Sequence, residues 1–101
     1  MKRLLALNRC EPEALEQVDD LNENCEVEIV LMQDAVYMAQ KTNEFEDEIN
    51  RHVMEGVQFY LLSIDVERRG LDDRLIPGVK LVDYDELVDL LFREDQTVLN
   101  V

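Results

Sequence analysis

Cys10 is the residue of this sequence best suited to act as a nucleophile, and it follows the first apolar run of the chain. The thiolate is the reactive form of cysteine, and a helix start or a neighbouring cation favours it. Arg9 and a helix expected to begin at Pro12 provide both features, whereas Glu11 and Glu13 oppose them. No histidine stands nearby to act as a base. Two interpretations of Cys10 therefore stay open, a structural strand-end thiol, which we favour, and a reactive thiol.

Other polar residues are explained without catalysis. Asp34, Asp65 and Asp83 each follow a predicted strand, where an aspartate that caps the next helix is expected. His52, the only histidine, falls on the apolar side of its predicted helix, which disfavours a metal or catalytic role. Cys25 precedes the second strand, at the amino end of the sheet, and is predicted to be structural. The sequence thus predicts Cys10 as the sole candidate catalytic residue, with no metal site and no cofactor.

The sequence lacks several well-defined catalytic motifs. There is no glycine-rich phosphate loop after the first strand, no GxSxG elbow and no HExxH motif. Two cysteines at this spacing form neither a disulfide framework nor a zinc knuckle, so free thiols are expected. Nucleotide-binding, serine hydrolase and zinc protease functions therefore have no support.

Short apolar runs alternate with segments of helical period, which is typical of βαβ units and a parallel sheet. Strands are predicted at residues 4–7, 27–32, 57–64 and 79–82, and the alternating tail 97–101 could add an edge strand. Helices are predicted at residues 12–22, over a second crossover split near 41–43, in a short turn at 65–69, and after 83. Capping boxes at Asn43/Glu46 and Asp83/Glu86 are expected to start two of them. The predicted fold is a single-domain α/β protein with a mostly parallel four- to five-stranded sheet and flanking helices.

Length and charge limit the possible functions. The 101 residues are expected to form one domain, residues 1–101. Twenty-four acidic against 10 basic residues give a net charge of −14, which opposes direct nucleic-acid binding and serves solubility or docking to a basic partner. No apolar run approaches the roughly 18 to 20 residues of a membrane span, and the start is too short for a signal peptide. We therefore expect a cytoplasmic protein without membrane contact.

Four segments together resemble the DsrH/TusB family. They are Leu-Asn-Arg at residues 7–9, Leu-Met-Gln-Asp-Ala-Val-Tyr-Met-Ala at 31–39, Arg-Gly-Leu at 69–71, and Val-Asp-Tyr-Asp-Glu-Leu-Val-Asp-Leu at 82–90. The resemblance implies a DsrE-like fold and a subunit of an intracellular sulfur relay complex, in which persulfide sulfur passes between proteins. In bacteria with the TusBCD version the relay leads to 2-thiolation of the wobble uridine of certain transfer RNAs, and the DsrEFH version serves sulfur oxidation.

The sequence also departs from this family. The cysteine that some members carry in the first helix is absent, and Cys10 stands where relatives commonly have serine. Ala35 replaces a usual glycine, and the chain has no tryptophan. We therefore expect a non-catalytic or auxiliary subunit, with a sulfurtransferase that carries persulfide on Cys10 as the alternative.

The predicted helices are too few to cover both faces of the sheet, so an apolar face is expected to be covered by a partner. DsrE/DsrF-like subunits, of the TusC/TusD-like kind, are implied by the resemblance, and a homo-oligomer would also cover the sheet.

Overall fold

The computed structural model describes residues 2–22, 26–93 and 96–100. Its strands are β1 Lys2–Leu7, β2 Glu26–Leu31, β3 Gln58–Leu62, β4 Lys80–Val82 and β5 Gln96–Asn100. They form one sheet in the order β4-β3-β2-β1-β5, and every neighbouring pair is parallel. The predicted α/β fold class is confirmed. The tail pairs with β1 as the predicted edge strand, although Val101 lies outside the described residues.

Helices connect these strands. The elements are α1 Pro12–Asn22, a 3-10 helix Gln33–Ala39, α2 Glu46–Met54, α3 Ser63–Arg68 and α4 Tyr84–Leu91. The bounds of α1 are those predicted from the sequence. Pro12 is its first residue, where the missing N–H group costs nothing, and Ala14, Leu15 and Val18 recur at helical spacing and are buried.

The second crossover is split, as predicted, between the 3-10 helix and α2, but the predicted Asn43/Glu46 capping box is wrong. Phe45 is the N-cap of α2, and its side chain makes no capping hydrogen bond. The Asn43 side-chain amide instead donates to the carbonyls of Tyr37 and Met38 at 2.7 and 3.0 Å. The Asn43 side-chain oxygen accepts a hydrogen bond from the Phe45 N–H group at 2.9 Å. Asn43 therefore fixes the turn between the 3-10 helix and α2 and is not itself the N-cap of α2.

Asp83 is the N-cap of α4, as predicted. Its side chain accepts a hydrogen bond from the Glu86 N–H group at 2.8 Å, and the Glu86 carboxylate accepts one from the Asp83 N–H group at 3.1 Å. This reciprocal capping box fixes the start of the helix after β4.

The predicted N-cap positions of Asp34 and Asp65 are wrong. Each helix begins sooner after its strand than the sequence suggested, with Met32 as the N-cap of the 3-10 helix and Leu62 as the N-cap of α3. Both aspartates lie inside the first helical turn. Their carboxylates are therefore free to make tertiary contacts.

The sheet separates two apolar clusters. The larger cluster packs one face against α1, the 3-10 helix, α2 and α3. The smaller cluster lies on the other face, and its buried members are Leu4, Ala6, Val30, Tyr60, Leu62, Val82, Leu87 and Leu90. Among the described residues, its helical members all come from α4. One face is thus covered by several helices and the other by α4.

Within the described ranges, no helix is long and apolar enough to cross a bilayer.

Candidate functional site

The carboxyl ends of β1, β2 and β3 meet at one edge of the sheet, because the strands are parallel. Cys10 follows β1 and is exposed. Its S–H group donates over 3.5 Å to the backbone carbonyl of Asp34, which follows β2. Asp65 lies in the first turn of α3, directly after β3. This edge, with Cys10 and these two aspartates, is the candidate functional site.

The surroundings of Cys10 disfavour a thiolate. Partial burial of the thiol, together with the negative charges of Asp34 and Glu44, raises the pKa of Cys10. Arg9, the cation expected to favour ionisation, forms an ion pair with Glu11 instead. The thiol is therefore protonated at neutral pH, and a protonated thiol is a poor nucleophile.

Gln33 adopts an unusual backbone conformation at this edge. Its φ angle is 51°, in the left-handed region that residues other than glycine seldom occupy. The Gln33 N–H group donates to the Asp65 carboxylate at 2.7 Å, and Asp65 is buried. A charge-assisted hydrogen bond between two neighbouring strand ends thus holds the strained turn in place.

Arg69 joins the two aspartates. Its guanidinium donates to the Asp34 carboxylate at 2.9 Å, and to the backbone carbonyl and carboxylate of Asp65 at 3.2 and 3.5 Å. It also lies 5.9 Å from the centre of the Tyr37 ring. The hydrogen bond with Asp34 is the main cause of a raised pKa for Arg69. Sequence reasoning gave Arg69 no role, although its position four residues after Asp65 on a helix was a usable signal.

An open depression of about 600 Å³ lies beside this network. Its lining consists of one tyrosine and five polar or charged residues: Gln33, Asp34, Tyr37, Asp65, Arg68 and Arg69. Cys10 does not line it. A depression with this lining suits a polar or charged group of a partner better than an apolar ligand.

The remaining candidate residues lie elsewhere. Asp83 caps α4 at the end of β4. His52 is fully buried in α2, in keeping with its predicted place on the apolar side of the helix. Cys25 lies outside the described residues, so its predicted structural role stays a prediction. Within the part of the chain that the structure describes, Cys10 is the only cysteine.

The fold is that of a known class of small parallel α/β domains. Protein MTH1491 from Methanobacterium thermoautotrophicum superposes with a TM-score of 0.87 at 17% identity, over 99% of this chain and 98% of that chain. The ychN protein from E. coli gives a TM-score of 0.84 at 20% identity, with both chains covered completely. At these identities the similarity shows the fold alone.

The chain belongs to the DsrH family, because the family model "DsrH like protein" matches residues 11–97. A TusB protein from Buchnera aphidicola subsp. Baizongia pistaciae is 33% identical over 82 residues, covering 81% of this chain and 75% of the relative. A TusB protein from Pectobacterium parmentieri is 35% identical over 68 residues, covering 67% and 68%. Membership confirms the resemblance seen in the sequence and the predicted class of function, a subunit of a sulfur relay complex that includes other subunits.

Proposed function

We propose that this chain is an auxiliary subunit of a TusBCD-type relay that leads to thiolation of transfer RNA in the cytoplasm. In this proposal it contributes an interface, while the persulfide is carried by a cysteine of a DsrE-type partner. The TusB names of two relatives favour the transfer RNA version over the sulfur oxidation version. The observation that carries the auxiliary role is the environment of Cys10.

A persulfide carrier needs a thiol that ionises readily and a path for incoming sulfur. Cys10 is exposed, but Asp34 and Glu44 place negative charge near it and its pKa is raised. Its S–H group is a hydrogen-bond donor to a backbone carbonyl, an arrangement that favours the neutral thiol. The same charges would repel an incoming persulfide anion.

The exposed side of α4 is the interface that the structure favours for a partner. Tyr84, Val88 and Phe92 recur every four residues, so they lie on one side of the helix, and they are 68%, 36% and 79% exposed. The opposite side of α4 packs Leu87 and Leu90 against the sheet. Among the described residues, α4 is the helix that covers this sheet face, and an exposed apolar stripe on it is the kind of surface that a subunit interface buries.

We propose DsrE/DsrF-like subunits, of the TusC/TusD-like kind, as the occupants of this stripe. A second copy of the chain is the other candidate. Its net charge of −14 disfavours self-association relative to a less acidic partner. Direct contact with transfer RNA is not part of the proposal, because the same charge repels phosphate groups.

The alternative function, a sulfurtransferase that uses Cys10, rests on the exposure of the thiol at the carboxyl edge of the sheet. In that reaction the Cys10 thiolate would attack the outer sulfur of a donor persulfide. A Cys10 persulfide would form, and the donor would leave as a thiolate.

Intact-mass spectrometry separates the two functions. The isolated chain and its complex with DsrE/DsrF-like subunits are each incubated with a persulfide donor, and a Cys10→Ser variant serves as the control. We expect the DsrE-type partner to gain the mass of one sulfur atom and this chain to gain none. A sulfur adduct on the wild-type chain that the Cys10→Ser variant lacks would contradict the auxiliary role.

A further inference from the structure

His52 has a buried imidazole that nothing in the carboxyl-edge site uses. Its side chain is fully buried, and neither ring nitrogen has a hydrogen-bond partner among the described residues. A buried polar group without a partner destabilises the folded chain, so such a group calls for an explanation. For Nδ1, an explanation lies on the side of the ring that faces α1.

Two carboxylates from different elements approach the same ring nitrogen. The Asp19 Oδ1 atom, on α1, lies 3.8 Å from His52 Nδ1, and the Glu55 Oε2 atom, at the C-cap of α2, lies 3.9 Å from it. These distances are too long for hydrogen bonds. One donor atom from each of the three residues lies within 4.8 Å of the other two.

We propose that Asp19, His52 and Glu55 form a binding site for a divalent transition-metal cation of the zinc type, which links α1 to α2. An imidazole nitrogen with two carboxylate oxygens is a ligand set that zinc accepts, whereas magnesium and calcium prefer oxygen alone. A cation between these atoms would sit about 2.0 to 2.2 Å from each, after small side-chain movements that close the present gaps. Water would complete its coordination.

Without an ion, the positive charge of Arg51 partly offsets the negative charges of the two carboxylates. Its guanidinium donates to both oxygens of Asp19 at 3.0 and 3.1 Å and to Glu55 at 3.2 Å. Arg51 is half-exposed, and it would compete with the metal for the Oδ1 atom of Asp19, which also faces His52.

Nuclear magnetic resonance provides a direct test, because His52 is the only histidine and its imidazole nitrogen signals are unambiguous. The probe is the zinc ion alone, added to the full chain, with its affinity measured in parallel by calorimetry. We expect one equivalent of zinc to shift the Nδ1 resonance of His52. Asp19→Asn, at an exposed position where folding is not at risk, should weaken zinc binding by at least about tenfold.

Two further variants complete the test. Asp20→Asn removes a neighbouring exposed carboxylate outside the site and should leave zinc affinity unchanged. Arg51→Gln removes the competing cation and should strengthen zinc binding. An Nδ1 resonance that stays unchanged at saturating zinc would overturn the proposal. Zinc binding of equal strength in the wild-type chain and Asp19→Asn would overturn it as well, since the ion would then sit on a thiol or on other surface carboxylates.

Discussion

Among single residues, the reactivity of Cys10 is set by its partial burial and by two negative charges from other parts of the chain. Burial is the largest cause of its raised pKa, followed by Asp34 and then Glu44. Since a raised pKa keeps the thiol neutral, its alkylation rate should reach half its maximum at a higher pH than that of a free cysteine.

The first prediction separates the burial and charge contributions. Asp34→Asn removes one negative charge, so the midpoint of the pH profile for Cys10 alkylation should move to lower pH. It should stay above that of a free cysteine, because burial remains. Peptide mass spectrometry follows Cys10 separately from Cys25, and Asp89→Asn, at an exposed acid of α4, is the control that should cause no shift. Equal profiles for Asp34→Asn and the wild-type chain would show that the charge of Asp34 does not act on the thiol.

The location of this site was predictable from the sequence, but its electrostatics were not. Cys10, Asp34 and Asp65 each follow an apolar run, and parallel strands end at the same edge of a sheet, so the predicted strands alone place the three residues at one edge. The charge balance at Cys10 also depends on Glu44, which lies 34 positions further along the chain. Likewise, nothing in the sequence around Gln33 indicates a positive φ angle, which tertiary contact with Asp65 maintains.

At the scale of elements, the start of α4 depends on one capping box. Asp83→Ala removes the acceptor for the Glu86 N–H group, so the free energy of unfolding should fall by about 1 kcal/mol. Denaturant unfolding measures the change. Asp73→Ala, at an exposed loop position, is the control and should be close to neutral. A loss in Asp83→Ala no larger than that in the control would mean that α4 does not need its cap.

Helix starts were predictable only where local signals were sufficient. Pro12 and the spacing of the buried apolar residues gave the bounds of α1 correctly, and the Asp83/Glu86 pair gave the start of α4. Asp34 and Asp65 also follow a strand, but neither has a glutamate or glutamine three residues later, and their helices begin directly from the strands. The residues that do cap these two helices are apolar and make no side-chain capping hydrogen bond, so no local polar signal marks where the helices begin.

A second prediction at this scale concerns the exposed stripe of α4. Phe92→Glu places a charge in the proposed interface, and it should reduce co-purification with DsrE/DsrF-like subunits by at least about tenfold while the chain stays folded. Met54→Glu is the matched control, because Met54 is 89% exposed at the end of α2, away from the stripe. Equal loss of assembly in both variants, or no loss in Phe92→Glu, would contradict the position of the interface.

At the scale of the whole molecule, charge governs which partners the chain can bind. With a net charge of −14, it gains nothing from the release of counterions that drives protein binding to phosphate backbones. We expect the isolated chain to bind transfer RNA too weakly for a fluorescence anisotropy titration to saturate at physiological salt. A submicromolar dissociation constant would contradict this and show that the chain binds transfer RNA directly.

The central claim is that the chain supports sulfur transfer without carrying sulfur. The most direct measurement is the rate of sulfur transfer in a complex reconstituted with DsrE/DsrF-like subunits, with either the wild-type chain or Cys10→Ser. We expect equal rates and equal assembly, because the raised pKa of Cys10 leaves little thiolate to react. A Cys10→Ser complex that assembles normally but no longer transfers sulfur would contradict it and would make this chain a sulfur carrier.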